Sequence, residues 1–351
     1  MNQSIVDISR EFFTDLVKPI LERAFPAETA QTAFGLFGQG SEALGMDDDY
    51  SRDHHWGVRI DALMPEDVFL QKSEAMQQVL ADNLPPTYQG FEIGQGLIAG
   101  AGISPDTLTG FLQRSIGLDH APQTDEAWLH IPEEDIIHVI NGEVWHDDQQ
   151  TFTNIRTTFQ AYYPKPVWLR RMAHWCRYFS AMGTYAHKRA LLRDNELFAM
   201  LSLGKSVRWG IQLAFMLDRH YYPYDKWLFA YFKRLPRMYE RLGPVVEEVI
   251  SLSTDWERKQ VLLDQMSDIL DAAMVEDGII QPHPKFVGSE SSGYRLMEHA
   301  YKDLLSQVPD PLKTVIPQWE QIYLEKFVVG YVDALDWDTW HDLLHLSPAD
   351  G

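Results

Sequence analysis

The spacing of apolar residues changes character about halfway along this chain of 351 residues. In the first part, short apolar runs alternate with amphipathic helical patterns, whereas after Phe152 almost every apolar residue follows helical spacing. Strands and helices followed by helices alone are typical of two structural units. The sequence therefore predicts an α+β fold, with a small mixed sheet in residues 1–155 and an all-helical domain in residues 156–351.

Individual elements follow from the same spacing. Apolar runs predict strands at Thr32–Phe37, Trp56–Met64 and Gly142–Trp145, and the aromatic and glycine-rich region 87–104 predicts one or two more. An amphipathic helix is expected over residues 5–24. The other predicted helices cover residues 65–84, 107–116, 133–140, 168–192, 197–219, 226–235 and 245–266.

Composition limits the partners and the compartment. The formal net charge of −21 makes nucleic acid and anionic membranes unfavourable partners. The single cysteine, Cys176, cannot form an internal disulfide and is expected in the core. The N-terminus lacks the basic and apolar regions of a signal peptide, and no apolar run reaches the length of a membrane span. We therefore expect a cytoplasmic protein with no membrane partner.

The chemically most informative segment is residues 38–57. Gly40-Ser41 follows an apolar run, and Asp53 and His55 come shortly afterwards. A Gly-Ser turn at a helix start offers N–H groups and a hydroxyl to a triphosphate. Two acids at positions i and i+2 of a strand point to one face and can share magnesium. This layout is that of a nucleotidyl-transfer site, with histidine at the second acid position.

The histidine leaves the metal and the activity open. An imidazole supplies one nitrogen and no negative charge, so it suits Zn²⁺ or Mn²⁺ better than Mg²⁺. Gly-Ser pairs are also common, and the generic spacing can arise by chance. Three readings remain: a weakened enzyme, an enzyme that uses a softer metal, and a pseudoenzyme that still binds nucleotide.

Several longer motifs resemble one bacterial family. The stretch Leu44–Gly57 is similar to the signature LGxDDxxSRDHDWG of the DUF4037 family, and Tyr222–Trp227 matches a second motif. Weaker similarity continues at 142–147, 153–156 and 162–168, so that the resemblance spans roughly residues 30–240. The family resembles the nucleotidyltransferase superfamily, with its DNA polymerase β-like fold.

The resemblance implies roles for individual residues. Gly40 and Ser41 would bind the phosphates of ATP or another nucleoside triphosphate. Asp53 and His55 would be catalytic and would hold the metal. Lys226 would reach the triphosphate from the helical domain, or else pair with a nearby acid such as Asp225. Glu92 is the expected third catalytic acid, with Asp61 as the alternative.

The function expected from these motifs is metal-dependent transfer of a nucleotidyl group to a hydroxyl of a small molecule or protein. Mg²⁺, Mn²⁺ or Zn²⁺ would be the cofactor, and the acceptor is open. The alternative is an impaired pseudo-nucleotidyltransferase that serves as a nucleotide-binding or antitoxin-like partner module. Dinucleotide, P-loop and GxSxG fingerprints are absent from the sequence, which disfavours those enzyme classes.

Overall fold

The N-terminal part combines strands and helices, as the sequence predicts. The computed structural model describes residues 4–53, 57–93, 102–283, 286–287, 294–295 and 298–315. Its strands are β1 (Ala33–Leu36), β2 (Asp61–Met64), β3 (Thr87–Tyr88), β4 (Phe91–Glu92), β5 (Ser104–Thr107), β6 (Glu143–His146), β7 (Phe286–Val287) and β8 (Tyr294–Arg295).

Four of these strands form one mixed sheet, in the order β5-β2-β1-β6. Strand β1 runs antiparallel to both β2 and β6, whereas β2 and β5 are parallel. The remaining strands form two short ribbons, β3–β4 and β7–β8. The α+β class with a small mixed sheet is therefore confirmed. The β7–β8 ribbon is a local exception to the all-helical pattern expected for the C-terminal part.

Helices cover both faces of the sheet. In chain order they are α1 (Ile5–Phe12), α2 (Lys18–Ala24), α3 (Pro26–Thr29), α4 (Glu66–Asn83), α5 (Leu108–Ile116), α6 (Asp125–His130), α7 (Ile137–Ile140) and α8 (Thr151–Gln160). A π-helical turn at Phe13–Val17 joins α1 to α2, so the predicted helix over 5–24 is continuous but not uniformly α-helical. Two short 3₁₀ helices occur at Asp49–Asp53 and Glu133–Asp135.

The C-terminal part is built from long helices. They are α9 (Lys165–Arg177), α10 (Tyr185–Leu191), α11 (Glu196–Leu217), α12 (Asp225–Phe232), α13 (Met238–Ile250), α14 (Trp256–Glu276), α15 (Glu298–Ser306) and α16 (Asp310–Lys313). A second π-helical turn, Tyr178–Thr184, connects α9 and α10 without a break. The helix predicted over 245–266 is wrong in one respect: the chain leaves the helix at Ser251, and Asp255 caps a new one by accepting the Arg258 N–H.

The alternation of side chains along the sheet separates two hydrophobic cores. Phe34, Ala62 and Met64 face a smaller core formed with α1, α2 and α4. Ala33 and Leu63 face the main core, which continues through the helices of the C-terminal part. Because both faces are covered, all four residues of β1 are buried. The first residue of the loop after β1 therefore follows a strand that is held in place by packing on both of its faces.

No helix within the described ranges is both long and apolar enough to cross a membrane. The two-domain division near residue 155 and the cytoplasmic location stay predictions.

Candidate functional site

The loop after β1, residues 38–45, holds the predicted phosphate-binding pair Gly40-Ser41. Gly38 has φ +80° and Gly40 has φ +123°, backbone conformations that favour glycine. A Cβ at Gly40 would also collide with the carboxylate of Glu42. Residues 41–45 form a hydrogen-bonded turn, in which Met46 N–H donates to the Ser41 carbonyl at 2.8 Å. The pair therefore precedes a single turn rather than the helix that the phosphate-binding argument assumed.

Polar side chains from a distant segment fix the first residue of this loop. Gly38 N–H donates to Asn141 Oδ1 at 2.9 Å, and Asn141 Nδ2 donates back to the Gly38 carbonyl at 2.7 Å. His138 Nδ1 lies 3.1 Å from the same carbonyl, and burial lowers the pKa of this histidine. A neutral imidazole with its proton on Nδ1 fits this contact.

The buried Arg156 in turn holds the segment that carries Asn141. Its guanidinium donates to the carbonyls of Ile140, Asn141 and Gly142 at 2.7, 2.8 and 3.2 Å. These carbonyls end the short helix α7, where a positive charge is favourable. Burial lowers the pKa of Arg156 to about 10, so the side chain still carries its charge at neutral pH. The 38–45 loop is therefore anchored through two layers of polar contacts.

Arg59 lies beneath the loop and binds it at several points. It donates to the carbonyls of Phe37 and Gln39 at 2.6 and 3.0 Å. It also donates to Glu42 at 2.7 Å, and its Nε lies 3.2 Å from Asp61. Burial raises the pKa of Asp61, against the effect of the Arg59 charge. Glu42 and Asp61 are thus already engaged by a protein cation.

Helix α12 covers the loop from the other side. Trp227 Nε1 donates to Ser41 Oγ at 3.2 Å, across 186 positions of the sequence. Tyr231 OH donates to the Leu44 carbonyl at 2.6 Å, and Arg234 Nη2 donates to that of Gly45 at 3.2 Å. Ser41 is only 8% exposed as a result. The structure therefore brings together the two motifs that carried the family resemblance.

Lys226 lies at the open edge of this contact. Its side chain is exposed, with Nζ 4.9 Å from the centre of the Trp227 ring. Hydrogen bonds from Ser51 and the charge of Lys226 lower the pKa of Asp48. The suggested ion pair between Lys226 and Asp225 is replaced, because Asp225 binds Arg208 at 2.6 Å. Trp227 thus contacts both the Lys226 ammonium and the Ser41 hydroxyl.

The structure corrects the local fold expected for the metal-binding pair. Asp53 ends the 3₁₀ helix Asp49–Asp53 and does not begin a strand, since β2 starts at Asp61. The reason is local: Asp48 accepts hydrogen bonds from the N–H and the hydroxyl of Ser51, which curls the chain into a turn. The Asp53 side chain and all of His55 lie outside the described residues, so their metal-binding role stays a prediction.

The third acid is not brought into the sheet. Glu92 lies exposed on β4, which pairs with β3 in the separate ribbon. The alternative, Asp61, does lie on β2 but accepts Phe37 N–H and pairs with Arg59. Among the side chains that the structure describes, no three His, Cys, Asp or Glu residues group in a way that would hold a metal ion.

Sequence reasoning missed the residues that support the loop. Arg59, Asn141 and His138 contact it from other segments of the chain, and Arg156 holds Asn141 in place, so their spacing carries no signal. One clue was available for Arg59: a charged residue beside the apolar strand residues Ile60 and Ala62 requires partners when that strand is buried.

The comparisons with known proteins agree with part of this picture. The model of the DUF4037 family, described as a domain of unknown function, matches residues 128–228. The resemblance is therefore confirmed for a stretch that is less than one third of the chain. This stretch includes Tyr222–Trp227 but not the 38–57 segment.

A crystal structure of a nucleotidyltransferase-like protein from Exiguobacterium sibiricum 255-15 is also similar to this chain. The two share 11% identity over 86% of this chain and 89% of that one, with a TM-score of 0.37. At this score the likeness carries no argument about activity. A search of curated proteins gave no match.

Proposed function

We propose that this protein binds a nucleoside triphosphate between the 38–45 loop and helix α12, and transfers its nucleotidyl group to a hydroxyl. The contact between Trp227 and Ser41 carries the proposal. It joins a glycine-rich turn to the exposed cation Lys226, the two features that a triphosphate requires. The chain has a net charge of −21, which disfavours anions in general. A cation beside a turn of backbone N–H groups would favour an anion at this one position.

The parts of this site divide the work. The N–H groups of Gly38, Gly45 and Met46 are bonded within the protein. The other N–H groups of the loop and the Ser41 hydroxyl would bind the β- and γ-phosphates. Lys226 would act as a point charge against the same phosphates. Because Asn141, Arg156 and Arg59 hold the loop, little of its freedom remains to be lost when nucleotide binds.

The proposed reaction is an in-line displacement at the α-phosphorus. The oxygen of the acceptor hydroxyl forms a new bond to this phosphorus, and the bond to the β-phosphate oxygen breaks. The bonding electrons leave with pyrophosphate, and the hydroxyl proton passes to a nearby base, for which Asp53 is the candidate. ATP is the simplest donor to test, and the acceptor is a small molecule or a protein side chain.

Fewer structural observations support metal binding than support nucleotide binding. A divalent ion would neutralise phosphate charge and help align the displacement. Two carboxylates near the loop, Glu42 and Asp61, are held by Arg59. We propose that Mg²⁺, Mn²⁺ or Zn²⁺ would be held by Asp53 and His55.

A binding measurement tests this proposal directly. Thermal shift and calorimetry would use the full chain with ATP, GTP, CTP or UTP, each with Mg²⁺, Mn²⁺ or Zn²⁺. We expect a metal-dependent shift that is lost in Asp53→Ala and weakened about tenfold or more in Lys226→Met. Lys233→Met is the matched control, since Lys233 follows the same helix but pairs with Glu247. If no nucleotide shifts the wild-type protein, the proposal is wrong.

Nucleotide binding without transfer is the second candidate function. The engagement of Glu42 and Asp61 by Arg59 favours it, together with histidine at the second metal position. His55→Asp would restore the second acid. Pyrophosphate release from ATP that appears only in this variant would support a pseudoenzyme, whereas release by the wild-type protein would support the transferase. Copurification with a second protein would test an antitoxin-like role.

A further inference from the structure

A pocket of about 380 Å³ lies where helix α9 begins, beside the ends of α11 and α14. This volume is within the range of sites for small organic ligands. One wall is apolar and consists of four buried side chains, Trp168, Leu169, Leu217 and Ile279. The other lining residues are Lys165, Arg219, Asp277, Gly278 and Gln307. The pocket therefore combines an apolar surface with charged groups.

Two cations of this pocket have no acidic partner in the described parts of the chain. Lys165 and Arg219 are both exposed, so a ligand can reach them, and no described carboxylate pairs with either. The Arg219 guanidinium lies over the Trp168 ring, 4.6 Å from its centre. Stacking engages the face of the guanidinium and leaves the N–H groups at its edge available. Two such cations in one pocket favour an anionic ligand.

The carboxylate among the lining residues is already engaged. Arg237 donates to both oxygens of Asp277, at 2.6 and 2.9 Å, and it also pairs with Asp218 at 3.2 Å. These three side chains together carry one excess negative charge, whereas Lys165 and Arg219 carry two positive charges. The surroundings of the pocket therefore stay cationic when Asp277 and its partners are counted.

The backbone of Arg219 is a second, independent observation. Its φ of +53° lies in the left-handed region, which glycine adopts freely and which is unfavourable for a residue with a Cβ. The position closes α11 in the way that glycine usually closes a helix: Arg219 N–H donates to the Met216 carbonyl, and His220 N–H donates to that of Phe215. Strained backbone of this kind recurs at binding sites. An arginine at a glycine-like position therefore points to a role for its side chain.

We propose that this pocket binds a small organic phosphomonoester. Arg219 and Lys165 would hold the phosphate group, and the organic part would pack on the apolar wall. Arginine can bind phosphate through two parallel N–H groups, and a pair of cations suits a dianion better than a carboxylate with a single charge. The lining residues lie outside the 38–45 loop and α12, so the proposal does not depend on the candidate nucleotide site.

Four probes test the chemistry of the ligand. Phenyl phosphate, benzoate, benzyl alcohol and inorganic phosphate would be titrated into the full chain by calorimetry, without nucleotide or metal. At pH 8 phenyl phosphate is a dianion, because its second pKa is about 6. We expect it to bind at least tenfold more tightly than each of the other three. Equal binding of the alcohol, of benzoate or of inorganic phosphate would each overturn the proposal, as would no binding of phenyl phosphate.

Arg219→Gly tests the assigned residue without endangering the fold, because glycine adopts this backbone conformation freely. We expect a cooperative thermal transition like that of wild type and a loss of tenfold or more in affinity for phenyl phosphate. Asp194→Gly is the matched control. Asp194 has φ +50° and follows α10 with the same pair of hydrogen bonds, but it does not line the pocket. It should keep wild-type affinity, and unchanged affinity in Arg219→Gly would contradict the assignment.

Two lysine variants separate this pocket from the candidate nucleotide site. Lys165→Met should weaken the binding of phenyl phosphate about tenfold, whereas Lys226→Met should leave it unchanged. If Lys226→Met weakens binding while Lys165→Met and Arg219→Gly do not, phenyl phosphate binds at the nucleotide site and the pocket is not its receptor. Failure of nucleotide to bind would leave the result for phenyl phosphate unaffected.

Discussion

At the scale of single residues, Arg59 shows how a charged side chain can organise a loop from below. In place of water, the Arg59 guanidinium contacts four protein oxygens, which belong to two backbone carbonyls and two carboxylates. Its side chain is 9% exposed, and those of Glu42 and Asp61 are 13% and 21% exposed. An ion pair of this kind contributes little compared with an apolar core, yet breaking it leaves buried charge unpaired. Removing this ion pair should therefore lower the free energy of unfolding far more than removing a surface pair does.

Arg59→Met tests this difference. The variant keeps the length of the side chain but leaves two carboxylates without their cation, so we expect the free energy of unfolding to fall by about 3–5 kcal/mol. The control, Arg258→Met, removes an exposed pair with Glu248 and should cost about 0–1 kcal/mol. Urea unfolding measures both values. Equal effects in the two variants would show that Arg59 is not a buried anchor.

Asp135 predicts a pH dependence of stability. Burial, reinforced by the neighbouring Glu134 carboxylate, raises its pKa to about 6. The folded protein therefore holds this proton more tightly than the unfolded chain does. The corresponding stability is present below about pH 4 and is lost as the pH rises through 6.

Asp135→Asn removes this titration. The side chain is partly exposed, so screening reduces the effect to about 1 kcal/mol. We expect the free energy of unfolding of the variant, relative to wild type, to rise by that amount between pH 4 and pH 7. Asp82→Asn, on the exposed face of α4, serves as the control and is measured over the same pH range. Parallel pH profiles for Asp135→Asn and wild type would refute the assignment.

At the scale of elements, the contact between α12 and the 38–45 loop links the two motifs of the sequence. Trp227 and Tyr231 on the helix each donate one hydrogen bond to the loop, and Arg234, just after the helix, donates a third. Tyr231 binds the carbonyl of Leu44, in the middle of the turn. The turn itself is closed by the N–H groups of Gly45 and Met46. Loosening α12 should therefore loosen the turn.

Tyr231→Phe removes one of these bonds without changing the packing. The free energy of unfolding should fall by about 1 kcal/mol. Amide hydrogen exchange at Gly45 and Met46 should become faster, which is the specific signature of the contact. Tyr239→Phe loses an exposed hydrogen bond to Glu247 and should leave these two amides unchanged. Unaltered exchange in Tyr231→Phe would mean that α12 does not hold the turn.

The elements show which features a sequence can predict. Strand β1 was expected at Thr32–Phe37 and is observed at Ala33–Leu36, because a short apolar run between two turns has few alternatives. The strand expected from Trp56 begins only at Asp61. The supports of the loop could not be predicted, since Asn141 and Arg156 reach it through the folded topology. The sequence analysis expected Ser41 and Lys226 to meet at a triphosphate, but it did not predict the contact between Ser41 and Trp227.

At the scale of the whole molecule, the main core joins the sheet to the helical part. It runs from Ala33 and Leu63 on the sheet to Leu312 near the end of the described chain. Trp128 packs against Phe159 with ring centres 4.9 Å apart, on opposite sides of the expected domain boundary. Arg171 crosses the same boundary and donates to the carbonyls of Trp128 and Ile131. The two parts thus share apolar and polar contacts.

This shared core predicts that the C-terminal part does not fold alone. A fragment of residues 156–351 would expose Phe159 to water and leave Arg171 without Glu133. We expect it to lack the near-ultraviolet circular dichroism of the full chain and to show no cooperative thermal transition. The full chain measured under the same conditions is the reference. A cooperative transition of the fragment would instead support two independent domains.

The π-helical turn at Tyr178–Thr184 has a consequence for the rod formed by α9 and α10. A π-helical turn closes its backbone hydrogen bond over one more residue than an α-helical turn does. The directions of all later side chains around the helix axis are therefore changed. Deleting Ala181 would let the α-helix run through and would rotate those later side chains by about 100°. His187, now buried with its Nδ1 2.9 Å from Gln260, would swing away from α14. The inserted residue thus allows Tyr178 to pack against Trp209 while His187, further along the same helical segment, lies in the core.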